Sequence, residues 1–339
     1  MVYGAIDLHM RQSQIRIVDE DGRVLRDQRV PTTRERLMKA CEGFGPMRML
    51  LESGTESEWV AQALEAGGHE LVVADPNYAP MYGERQRRVK TDRRDVAALV
   101  EANRRGWYRA THRVSATQRA TRQLLRTRRQ LVQMRSGAVA LIRSLVKQDG
   151  YRLPSCGAER VPAKLAQVTL PAWLTAAVTP LARTIEATTT EIAGLERELH
   201  TRAAADPVVQ RLQTVPGVGL IVALTFRTQL DTIDRFTHAG QVSALIGLVP
   251  REDSSADRRH RGHITKAGPR ELRSLLVQAA WACWRSTRSA SLRAWAEQLA
   301  SRRGRRIAVV ALARRLSRIL YAIWRDASVF EGSKLAAAA

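Results

Sequence analysis

The stretch VYGAIDLHMRQSQIRIVDEDGRVLRDQRV, residues 2–30, decides the fold class. VYGAIDL is an apolar run of strand length. Residues 14–30 hold two more strands around Asp21-Gly22, a pair suited to a tight hairpin because glycine accepts positive φ. Downstream the period changes. TTRERLMKACEGF (32–44) has threonine caps and helical apolar spacing. MRMLLE (47–52) is a buried strand, and ESEWVAQALEAGG (56–68) a helix closed by glycine. HELVVADP (69–76) is a strand and TDRRDVAALVEANRRG (91–106) a helix. The order βββαβαβα predicts a mixed sheet with helices packed on it.

Of 339 residues, 45% are apolar, enough for real cores, and 55 Lys+Arg against 33 Asp+Glu leave a net charge of +22. That excess points to a phosphate-rich partner. No apolar run approaches the roughly 18–20 residues of a spanning helix, and the first ten residues lack a signal-peptide layout, so no membrane role is expected. Cys41, Cys156 and Cys283 are far apart and form no CxxC pair. They read as reduced thiols of a cytoplasmic protein, not a zinc site or disulfide frame.

Residues 115–150 predict one long helix. Leu125, Val132, Val139 and Val146 recur every seven residues, as do Leu124, Leu131, Ala138 and Leu145, a coiled-coil-like seam. Another face carries Arg119, Arg122, Arg126 and Arg129, which suit either solvation or salt-dependent nucleic-acid contact. Residues 151–172 hold three prolines and predict a loop. A second long helix follows, with Leu181, Ile185, Ile192, Leu195 and Leu199 on one side, to pair with the first or across a dimer. Residues 206–330 predict a mostly helical region with a polar, basic loop at 251–268.

The acids carry the chemistry. Asp7 closes the first strand and Glu52 the fourth, and strand-end carboxylates face the region where α/β sheets bind ligands. Asp92 and Asp95 share a face on the first turn of a helix. Singly, each acid reads equally as a cap or a surface charge, Asp92 above all as a cap. Four together would raise one another's pKa. Two Mg²⁺ ions resolve that repulsion and can clamp the attacking and leaving oxygens of a phosphodiester.

Two further motifs are weaker. Gly217 and Gly219 in VPGVG suit a helix-hairpin-helix turn whose N–H groups hold a phosphate, or a plain glycine turn. Ser254 and Ser255 sit in the basic loop near Arg251, Arg258, Arg259 and Lys266. A serine is a poor nucleophile without such help, and arginines stabilise developing phosphate charge. His260 and His263 have no third ligand at matching spacing and read as phosphate contacts or solvated residues.

In order, GAIDLH, LLESGTES, VKTDRRDVAAL, VPGVG, DRF, ALIGLVPREDSS and RGHITKAGPRELRSLL resemble, over nearly the full chain, the DEDD transposases with a RuvC-like N-terminal domain. These are the bridge-RNA-guided insertion-sequence recombinases, relatives of the Piv invertase. The resemblance implies a RuvC-like RNase H-fold catalytic domain over 1–110, a helical coiled-coil region over 111–205, a C-terminal transposase domain over 206–330 and a tail over 331–339. It implies that Asp7, Glu52, Asp92 and Asp95 bind metal and that Ser255, five residues after the proline of GLVP, is the nucleophile, with Ser254 the fallback. The family pattern continues with glycine where this chain has Ala256. It further implies a guide RNA that pairs with donor and target DNA, leaving the protein to recognise shape and backbone.

The expected function is a DNA transposase of a prokaryotic insertion sequence, nucleoid-associated and working as a dimer or tetramer on element ends and target. A Mg²⁺-dependent junction nuclease that uses water would need the acids and not the serine. A decayed nucleic-acid-binding protein would need neither.

Overall fold

A computed structural model describes residues 1–82, 91–255 and 258–332, apart from the side chains of 253–261. The chain forms two compact units, 1–113 and 114–339.

The first unit is a five-stranded mixed sheet covered on both faces. Strands β1 (Tyr3–Asp7), β2 (Gln12–Val18) and β3 (Val24–Pro31) form an antiparallel meander. Helix α1 (Arg34–Cys41) leads to β4 (Arg48–Glu52), then α2 (Ser57–Ala66) to β5 (Glu70–Ala74), and α3 (Asp92–Arg105) closes the unit. The sheet order is β3-β2-β1-β4-β5, with β1, β4 and β5 parallel. Alternation along the strands divides the core. Ile6, Met49, Leu51 and Val73 pack with Leu37 of α1 and Val60 and Leu64 of α2. Ala5, Leu50, Val72 and Ala74 pack with Val96, Leu99 and Val100 of α3. Asn103 also ties α3 to the sheet, donating to Gly4 O at 2.9 Å and Arg48 O at 2.8 Å.

A half-buried polar knot holds β2 to β3. Asp27 accepts from Gln14 Nε2 and Arg16 Nη2, both at 2.5 Å, and Arg93 Nε lies 3.5 Å away. Burial alone would push the Asp27 carboxyl up, but the bond and charge of Arg16, the Gln14 bond and the charge of Arg93 outweigh it and hold the carboxyl below its ordinary value. Its contribution to stability is therefore present above the ordinary carboxylate pKa and is lost as pH falls through the lowered one. Asp27→Asn should cost about 2 kcal/mol near neutral pH. In urea titrations the difference from wild type should disappear in acid.

The second unit begins with an antiparallel helical hairpin of α4 (Ala116–Gln148) and α6 (Ala172–Ala204). Arg128 reaches Glu196, Arg135 reaches Thr189 and Arg202 reaches Thr121, so the two helices run in opposite directions. The expected pairing is thus within one chain. Leu125, Ala138 and Val146 of the heptad seam are buried, and Ile142, outside both heptad series, is wholly so. The proline-rich link is not all loop: it holds a 3₁₀ turn (Ala158–Arg160) and α5 (Val161–Leu165), whose Val161 and Leu165 pack into the hairpin tip.

Helices α7 (Pro207–Leu212), α8 (Leu220–Leu230), α9 (Ala239–Leu245), α10 (Arg270–Arg285), α11 (Ala290–Arg303) and α12 (Arg305–Arg325) surround a second core that includes Phe226, Leu276, Leu316 and Tyr321. The expected loop at 251–268 is instead an antiparallel ribbon, β6 (Pro250–Ser255) and β7 (Arg258–Ile264), followed by an irregular turn. Its sequence, PREDSS and RRHRGHI, lacks the apolar alternation that marks a half-buried strand. Among the described residues no helix is long and apolar enough to cross a membrane.

Candidate metal centre and nucleic-acid surface

Because β1 and β4 are parallel neighbours, with Ile6 opposite Leu51, Asp7 and Glu52 end side by side at the carboxyl edge of the sheet. They line a cavity of about 470 Å³ with Ser53, Gly54 and Thr55. Helix α3 brings the other acids. Its N-cap is Thr91, whose side chain accepts from Arg94 N, so Asp92 is the first helical residue and not the cap. Asp95, one turn on, is 7% exposed.

Asp7 senses all of these groups. Burial pushes its carboxyl above the ordinary value, His9 opposes the shift, and the charges of Asp95, Glu52 and Asp92 add to it. Asp7 Oδ2 is buried and receives no hydrogen bond. A buried, unbonded carboxylate oxygen among three further acids is a donor set suited to a hard divalent cation.

Three neighbours of the acids were not predicted from sequence. His9 Nε2 lies 3.3 Å from Asp7 Oδ2 and 3.5 Å from Asp92 Oδ1. Arg29 lies 3.6 Å from Asp92 Oδ2, and the Tyr82 hydroxyl donates to Glu52. A signal existed for His9, two residues beyond Asp7 and hence on the same side of an extended chain. Arg29 and Tyr82 come from distant positions with no motif of their own.

In the second unit, Arg122, Arg126 and Arg129 line a groove of about 270 Å³ with Thr228, Gln229, Arg270 and Glu271. Arg122 differs from the others. It donates to Thr228 O at 2.8 Å and Gln229 O at 3.2 Å, satisfying the carbonyl end of α8. Burial lowers the pKa of its guanidinium, with Asp231 opposing. The structure thus gives Arg122 a structural role where the helical stripe suggested a contact. Arg129 pairs with Glu271 at 3.1 Å, Arg126 is exposed and Arg119 half-buried.

The VPGVG turn is shaped by packing. Gly217 has φ +84°, and a Cβ there would lie 2.3 Å from Ala279 O and 2.7 Å from Cys283 N, both backbone atoms of α10. Gly217→Ala should cost about 2 kcal/mol or more, seen as a lower thermal midpoint. Gly219 is the exposed N-cap of α8.

Arg251 and Lys266 are exposed at the base of the ribbon. Backbone register pairs Ser254 with Arg259 and Ser255 with Arg258. The side chains of Ser254, Ser255, Arg258 and Arg259 lie outside the described residues.

Residues 5–149, which contain all four acids, match a family described as "Transposase", of the DEDD IS110 type. Residues 209–295, which contain VPGVG and the serine ribbon, match the "Transposase IS116/IS110/IS902 family". A "Probable family 20 transposase" of Pseudomonas aeruginosa is 31% identical over 82% of this chain and 84% of the relative. The "Transposase for insertion sequence element IS1111A" of Coxiella burnetii is 29% identical over 94% of this chain and 88% of its own length. The "Transposase for insertion sequence element IS1328" of Yersinia enterocolitica is 27% identical over 96% and 97%. With both halves matched in order and relatives aligned over most of their length, the chain belongs to the IS110/IS116/IS902 family of insertion-sequence DNA transposases.

Proposed function

We propose that this transposase cuts and rejoins DNA with a carboxylate metal centre in its first unit and a serine in its second, guided by an RNA. The observation that carries the reading is Asp7: a half-buried carboxylate with one buried, unbonded oxygen, under the influence of Glu52, Asp92 and Asp95. The 3-2-1-4-5 mixed sheet with helices on both faces supports an RNase H-like assignment.

In this reading Asp7, Glu52, Asp92 and Asp95 hold Mg²⁺, as two ions. Bound there, the metal supplies charge stabilisation at the scissile phosphate. Tyr82 orients Glu52, and Arg29 holds Asp92 in place. Ser255 Oγ attacks the phosphorus and loses its proton, and a P–O bond to one flanking sugar breaks as that sugar oxygen gains a proton. A hydroxyl from another strand end then displaces serine, so the phosphodiester is conserved through strand exchange. Arg251, Arg258, Arg259 and Lys266 would hold phosphates, as would the N–H groups near Gly219.

The net charge of +22 and the exposed arginines support a nucleic-acid partner, and the family resemblance supports a guide RNA. Exposed Met134, Leu141 and Trp173 on the helical hairpin support a homo-oligomer. The protein would act on nucleoid DNA in the cytoplasm.

The test combines the protein, Mg²⁺, the element's own RNA and paired DNA sites, followed by denaturing gels. A covalent protein–DNA adduct is expected. Cleavage without any adduct would favour a water-using nuclease, and no reaction a binder alone. Arg126→Ala and Arg129→Ala should each weaken DNA or RNA binding and lower the salt slope by roughly one. Arg122→Ala should instead lower stability, because it leaves the α8 carbonyls unpaired.

A further inference from the structure

We infer that His9 is a third donor to the metal held by Asp7 and Asp92, and that this mixed nitrogen–oxygen set lets the centre accept a transition ion such as Mn²⁺ beside Mg²⁺. The inference rests on the reading of those carboxylates as metal ligands.

Geometry points to it. His9 Nε2, Asp7 Oδ2 and Asp92 Oδ1 all lie within 4.8 Å of one another. For metal–donor bonds of about 2.1 Å, adjacent corners of an octahedron are about 3.0 Å apart and opposite corners about 4.2 Å. The observed 3.3 and 3.5 Å separations from His9 are those of adjacent corners, widened by a few tenths of an ångström. The imidazole forms no geometrically proper hydrogen bond that satisfies Asp7 Oδ2. Its Nε2 instead lies within 3.5 Å of an oxygen of each carboxylate. Arg29 faces the other oxygen of Asp92, Oδ2, and leaves Oδ1 on the His9 side.

The turn that carries His9 is fixed. Thr32 Oγ1 donates to His9 O at 2.6 Å, and Thr32 N donates to Arg11 O at 3.0 Å. The Thr32 hydroxyl also meets Ser13 Oγ at 2.7 Å. The backbone is therefore anchored to the end of β3, while the side chain remains 49% exposed and replaceable without disturbing a core.

Chemistry then selects the ion. Mg²⁺ strongly favours oxygen donors and retains its waters, whereas a transition ion of similar coordination accepts imidazole nitrogen more readily. A histidine beside two aspartates therefore widens the ions the centre accepts to transition ions, for which Mn²⁺ is the paramagnetic probe, without excluding Mg²⁺.

The test uses full-length metal-free protein titrated with Mn²⁺ alone. Loss of the free-ion EPR signal measures affinity, and nitrogen modulation of the pulsed-EPR echo reports a direct bond to imidazole. Wild type should show nitrogen modulation that changes character after labelling with ¹⁵N-histidine. His9→Ala should abolish it and weaken Mn²⁺ binding about tenfold or more, while competing Mg²⁺ affinity changes less than about threefold. Asp7→Asn should also remove the signal. Bound Mn²⁺ without nitrogen modulation in wild type would overturn the role of His9 and leave the carboxylate centre standing. Modulation that persists in His9→Ala would place the nitrogen elsewhere and equally overturn it, and modulation unchanged in Asp7→Asn would separate His9 from that carboxylate and overturn the shared set. Failure of wild type to bind Mn²⁺ would overturn the carboxylate reading as well.

Discussion

Asp7→Asn is expected to reduce metal-dependent strand cleavage at least about a hundredfold, because losing even a supporting group of a metal centre costs 10–100-fold. The amide preserves shape and removes the charge. It takes away the oxygen that β1 brings to the centre of the acidic group, and no neighbouring carboxylate can replace it, since Glu52 is held by Tyr82 and Asp92 faces Arg29 and His9. Stability should move the other way. The native state binds the Asp7 proton more tightly than the unfolded chain, so this group's contribution is present in acid and lost as pH rises through its raised pKa. Metal-free Asp7→Asn should therefore melt at or above the wild-type temperature near neutral pH, and that advantage should shrink in acid. A variant that is both inactive and unfolded would not meet this expectation. Saturating metal should raise the melting temperature of wild type more than that of the variant.

Ser255→Ala is the second large effect. It should abolish the covalent adduct and lower strand exchange about a thousandfold or more, the scale on which losing a nucleophile acts. Ser254→Ala should keep adduct formation within about threefold of wild type. Neither change alters charge, so nucleic-acid affinity and its salt dependence should stay as in wild type. Adduct formation lost from Ser254→Ala and retained in Ser255→Ala would transfer the role to the neighbour. Metal-dependent cleavage in both would remove serine from the chemistry.

Much of the first unit was legible because each local cue agreed with the final structure. Asp21-Gly22 turns one hairpin, Thr33 and Thr91 cap their helices, and the apolar residues of β1, β4 and β5 fill two cores. The four acids stood out because strand ends and a helix start are recognisable positions. Contacts between remote segments leave no such mark. Nothing local to Arg29 or Tyr82 tells of Asp92 or Glu52. Arg122 follows the same helical spacing as Arg126 and Arg129, yet its guanidinium meets the end of another helix. The β6–β7 ribbon was hidden for a different reason: its sequence is almost wholly polar, so backbone pairing left no hydrophobic period to read. Gly217 reads in sequence as a turn glycine, and the backbone of α10 packed against it leaves no local mark.

Asn103 places a limit on the proposed metal edge from well outside it. It pins α3 to β1 and β4 near the helix's last turn, whereas Asp92 and Asp95 ride on its first. Eleven residues of helix separate Asn103 from Asp92, roughly 16 Å at 1.5 Å per residue. The helix is in effect a lever with its fulcrum at an amide. A tilt of about 5° there would carry Asp92 by roughly 1.4 Å and Asp95 by roughly 1 Å, and a displacement near 1 Å can cost about two orders of magnitude in rate. The alignment of the acids thus depends on a side chain that touches none of them, and substitutions near this fulcrum can silence the centre while leaving every ligand in the sequence.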